Sequence, residues 1–90
     1  MESGSVVGDR VFTAENATVI GDVTLADDVS IWFGAVVRAD RDTITVGAGS
    51  NIQDNAVVHT TPGFPVSIGS EVSVGHGAIL HGCTIRDRVL

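Results

Sequence analysis

Ninety residues with a net charge of −6 bound the chain to one domain, and the acidic balance argues against nucleic acid or an anionic membrane surface as a partner. No apolar run reaches the roughly 18 residues that span a bilayer, and Met1-Glu2-Ser3-Gly4-Ser5 lacks the basic and apolar regions of a secretory leader. Cys83 is the single cysteine; it excludes an intrachain disulfide, reads as a small packed residue, and with no leader points to a reducing cytoplasm.

The apolar residues are mostly Val and Ile, which favours strands over helices. From Val7 the chain divides into blocks of six: VGDRVF, TAENAT, VIGDVT, LADDVS, IWFGAV and VRADRD. Five of the six first positions (Val7, Val19, Leu25, Ile31 and Val37, but not Thr13) are branched aliphatics. Gly, Asp, Asn and Glu fill much of positions two to four, and Asp9, Asp22, Asp27, Asp28 and Asp87 read as turn residues. The register slips at ADRDTIT and resumes at Val46, Ile52 and Val58. It slips again at TTPGFPVS and resumes at Ile68, Val74, Leu80 and Ile85. Both slips are expected as loops protruding from corners. The second holds two prolines and a glycine and cannot continue a ladder.

Neither a helix nor a hairpin strand has a period of six. One short strand and one turn per block, three blocks to a triangular coil, does. The expected fold is therefore all-β: one parallel β-helix domain over residues 1–90, with 1–6 as an N-terminal tail. First-position aliphatics point into the prism and coils stack about 4.8 Å apart. Leu90 ends a block that should lead to more prism, so the expectation is either that C-terminal coils are missing from this chain or that something outside it covers that end.

Counting blocks in threes assigns faces. Blocks at Val37, Val58 and Leu80 share one face, and their second residues, Arg38, His59 and His81, form one outward column. His59 and His81 should be close enough to share a metal ion. Blocks at Ile52 and Val74 lie on another face, with Gln53 second and Asp54 and His76 third. His76 is then around a corner from the other two imidazoles, and a neighbouring chain related by three-fold symmetry would deliver it. Three imidazoles with one open position make a catalytic zinc arrangement, in which bound water ionises near pH 7 rather than about 15.7.

The stretches GAVVRAD, NIQDNAVVH and VGHGAILHGC resemble the γ-class carbonic anhydrases and their hexapeptide-repeat relatives, and the likeness covers nearly the whole chain from Val7. The resemblance implies a left-handed coil, an exception to the right-handed crossover rule. It implies His59, His76 and His81 as metal ligands and Arg38 and Asp54 as an ion pair between subunits. By the same resemblance Gln53 orients the metal-bound hydroxide, and Asn51 and Asp40 are its polar surroundings. The implied cofactor is Zn2+, with Fe2+ or Co2+ as alternatives. The implied assembly is a homotrimer, and the implied reaction is reversible hydration of CO2 to bicarbonate. Two positions depart from the family prototype. Arg41 stands where the prototype has a glutamate, and TTPGFP stands where it has an acidic loop. Those acids export protons, and their absence resembles a shorter subclass of variable anhydrase activity.

Other readings remain open. A lone outward histidine is ordinarily a surface side chain. Trp32, outward at a second position, is either a subunit contact or simply exposed. A hexapeptide acyltransferase shares the prism and trimer but needs one histidine as a general base. A non-catalytic trimeric scaffold would retain the metal site as a structural element.

Overall fold

A computed structural model describes residues 5–89. Among them are eleven strands and no helix: β1 (Val6–Val7), β2 (Phe12–Thr13), β3 (Thr18–Leu25), β4 (Ser30–Ile31), β5 (Val36–Val46), β6 (Asn51–Ile52), β7 (Val57–His59), β8 (Val66–Ile68), β9 (Ser73–Val74), β10 (Ile79–His81) and β11 (Thr84–Ile85). Among the described residues no helix is long and apolar enough to cross a membrane. Val6, expected from the sequence to lie in the N-terminal tail, pairs with Thr24. Residues 1–4 and Leu90 lie outside the described part.

Every strand pairs in parallel with the strand one coil away. The pairings form three columns. One runs Val7, Leu25, Val46, Ile68 and Ile85. The second runs Thr13, Ile31, Ile52 and Val74, and the third Val19, Val37, Val58 and Leu80. These are the first positions of the six-residue blocks, so the chain is a parallel β-solenoid of about four coils. The middle members of each column, such as Leu25, Val46, Ile31, Ile52, Val37 and Val58, are buried and form one core. Branched side chains suit it because each stacks on its counterpart in the next coil.

Corners are made by the fourth position of the block. Arg10, Asp28, Asn55, Glu71 and Arg88 all take φ of 56–61° there. Asp and Asn tolerate that left-handed conformation best. The turn carboxylates also tie coils together: Asp27 Oδ1 accepts the Asp9 N–H at 2.8 Å and Asp87 Oδ1 the Ser70 N–H at 2.9 Å. Arg10 donates to Asp28 at 2.7 Å, and that hydrogen bond holds the Asp28 carboxyl below the usual carboxylate range.

The first slip is not a protruding loop. β5 runs through it without a break, and three extra residues are absorbed as a bulge: Gly21 faces Ala39, yet Val23 faces Ile44. The physical reason is Thr60 on the next coil. Its buried hydroxyl accepts the N–H of Arg41 at 3.3 Å and of Asp42 at 3.0 Å, so the displaced backbone stays paired. The second slip is a loop as expected. Thr61 to Phe64 close a tight turn, with the Phe64 N–H on the Thr61 carbonyl at 2.8 Å.

Candidate metal centre

The third column positions the first half of the site. Arg38 pairs with His59, and His59 with His81, so the residues just after the inward Val37, Val58 and Leu80 point out of the prism. The two imidazoles lie 5.0 Å apart between centroids, tilted by 36°. His59 Nε2 sits 3.5 Å from Arg38 Nη2 and 3.8 Å from Asp40 Oδ1. Arg38 is itself held by Asp40 at 3.2 Å. Partial burial would raise the Asp40 carboxyl, but the Arg38 hydrogen bond, its own backbone N–H and the charges of Arg38 and His59 outweigh this and hold it below its ordinary value. His81 Nε2 is hydrogen-bonded to the Thr61 hydroxyl.

The second half lies on the other sheet, built from β2, β4, β6 and β9. Ser30, Trp32, Asn51, Gln53, Asp54 and His76 line an open hollow of about 430 Å³. Gln53 Nε2 donates to Asn51 Oδ1 at 3.0 Å, and Asn51 Nδ2 to Ser73 Oγ at 3.0 Å, so the amide of Gln53 is oriented by a short chain of side chains. Trp32 packs on Phe12 at 4.9 Å and donates its Nε1 to Ser30 Oγ at 3.0 Å.

The structure thus brings His59, His81, Arg38 and Asp40 together on one face, and Gln53, Asn51, Asp54 and His76 on another. Asp40 lies beside His59, not beside Gln53 within the chain, and the carboxylate partner of Arg38 within the chain is Asp40, not Asp54. Among the described residues, no three His, Cys, Asp or Glu side chains gather closely enough to hold an ion. Sequence reasoning missed Thr60, Thr61 and Asp42, whose contacts depend on the bulge and the turn. The only signal was their place at the two breaks in the period.

A family described as "Bacterial transferase hexapeptide (six repeats)" matches residues 4–39. A Methanocaldococcus jannaschii protein named "Probable carbonic anhydrase" is 49% identical over 85 residues, covering 94% of this chain and 54% of that protein. The mitochondrial γ carbonic anhydrase 1 of Arabidopsis thaliana is 44% identical over 92 residues, covering 96% of this chain and 34% of that one. A crystal structure of a hexapeptide transferase family protein from Anaplasma phagocytophilum is 48% identical with a TM-score of 0.84, over 92% of this chain and 49% of that one. Fold and repeat define a hexapeptide-repeat β-solenoid. Within that class the chain is similar, over nearly its whole length, to proteins named carbonic anhydrase, of the γ class in Arabidopsis thaliana. It spans about half the length of the first of these relatives.

Proposed function

We propose that the chain carries a γ-carbonic-anhydrase-like site and hydrates CO2 reversibly to bicarbonate. In this reading His59 and His81 of one copy and His76 of another hold one divalent cation in a homotrimer. The observation that carries it is the register Arg38–His59–His81, which stacks two imidazoles 5.0 Å apart on the outer face. Two imidazoles on one face leave a single chain short of a donor, and cyclic association joins that face to the one bearing His76 with no new residue. The donor set fits the group, since imidazole nitrogens suit Zn2+, and Fe2+ or Co2+ as well. Bound there, the cation supplies the Lewis acid that makes hydroxide available near neutral pH.

The chain's own residues do the rest. Asn51 engages the amide nitrogen of Gln53, so Gln53 presents its Oε1 as the acceptor that orients the attacking hydroxyl. Asp40 fixes the Arg38 guanidinium next to His59. Arg38 then pairs across the subunit contact with Asp54 of the next copy. Arg41 lines the same groove as His59 and itself offers no proton acceptor.

The test is stopped-flow CO2 hydration with Zn2+, and with Fe2+ under anoxia, beside a His76→Ala variant. Hydration well above background and lost in the variant is the expected result. No hydration in folded, metal-loaded protein sinks the anhydrase reading and leaves the scaffold. The likeness to a hexapeptide transferase family protein favours a second reading, acyl transfer with one histidine as base. Acetyl transfer from coenzyme A by metal-stripped protein would decide for it.

A further inference from the structure

The turn after β7 places a hydroxyl on a ring nitrogen of His81, one of the proposed ligands. Thr61 lines both hollows on this face. One is formed with Phe64, His81 and Gly82, the other with Arg38, Asp40, Arg41, His59, Thr60 and Pro62. Its position is not left to a mobile loop. Pro62 restricts its own φ, and Gly63 takes φ +79°, as the third residue of a type II turn must. The turn closes through the Phe64 N–H on the Thr61 carbonyl at 2.8 Å. Asp42 Oδ2, on the neighbouring coil, accepts the Gly63 N–H at 3.0 Å. The buried Thr60 hydroxyl accepts the N–H groups of Arg41 and Asp42 and so anchors the bulge that carries this carboxylate. Three clamps therefore fix the residue whose hydroxyl meets His81 Nε2.

We propose that His81 would hold the cation through Nε2, and that Thr61 tunes the affinity of this half-site by occupying that nitrogen. The inference rests on the three-histidine reading above. A ring nitrogen has one in-plane bonding direction, so it serves either the hydroxyl or a metal ion. Loading the site therefore gives up the Thr61–His81 hydrogen bond, and the clamped turn keeps the hydroxyl near enough to re-form it when the ion leaves. The device weakens binding without removing a ligand.

Thr61→Val removes the hydroxyl at nearly constant volume, and Thr61→Ser keeps it. Titration of the assembled protein with Co2+, read by its visible absorption, should give roughly 3- to 10-fold tighter binding in the Val variant, the worth of one net hydrogen bond. The Ser variant should stay near the parent. In metal-free protein, the His81 Nε2 15N signal should shift in Thr61→Val and not in Thr61→Ser. Equal or weaker Co2+ binding by Thr61→Val overturns the proposal, as does an unmoved His81 signal. The signal alone decides the matter if the Val variant fails to assemble. If the parent binds no Co2+ at all, both this inference and the three-histidine reading fall. If the parent binds and Thr61→Val binds no tighter, only this inference does.

Discussion

Ser50 is fully buried, and its hydroxyl does two jobs at the corner between coils. It donates to the Gly69 carbonyl at 2.6 Å and accepts the Val72 N–H at 3.0 Å. Ser50→Ala keeps the size but leaves the Val72 N–H buried without that partner. The expected loss is about 1–3 kcal/mol, read as a lower urea midpoint with unchanged slope. Thr60 is the same kind of residue beside the site, buried and bonded to backbone rather than to substrate. Neither stood out in the sequence, because Ser and Thr at turn positions look alike whether exposed or buried. The histidines were different. Their period placed His59 and His81 side by side before any coordinate did, and the structure keeps that register. The Thr61 contact was not legible, since it depends on how the turn folds back rather than on spacing.

At the scale of the element, each coil is held by how closely its neighbours approach. Gly47 sits at a corner where an added Cβ would lie 2.5 Å from the Gly69 carbonyl carbon, which is backbone and cannot swing away. Gly47→Ala should therefore force the coils apart and destabilise by about 1–3 kcal/mol, as overpacking does, seen as a fall in melting temperature. The strand columns were legible from six-residue spacing alone, because an inward aliphatic every sixth residue admits one register. The bulge in β5 was not. A slip in the period says that residues are inserted, not whether they leave the sheet. Here they stay in it because Thr60 and Asp42 supply partners for the displaced backbone.

At the scale of the whole molecule, the two halves of the site face in different directions on one chain, so the proposed centre depends on association. Mixing supplies a decisive check. A His76→Ala chain keeps His59 and His81, and a His81→Ala chain keeps His76. Each alone should bind no cation at the three-ligand site. Co-refolded, they should regain a fraction of Co2+ binding, because some contacts then join an intact pair to an intact third ligand. Recovery of nothing, with mixed assemblies verified by mass, would place the three imidazoles in no shared site.

The sequence by itself determined the strand period, the three inward columns and the face on which each histidine stands. All of these follow from a repeat whose inward residues must be apolar and must stack. Only the tertiary structure decided that Asp40 turns to Arg38 and His59, that Trp32 packs on Phe12, and that Thr60, Asp42 and Thr61 lock the turn over His81. Periodicity fixes which way a side chain leaves the backbone. Its partner depends on where a bulge or a tight turn carries the neighbouring chain, and that is set by long-range hydrogen bonds that no local pattern encodes.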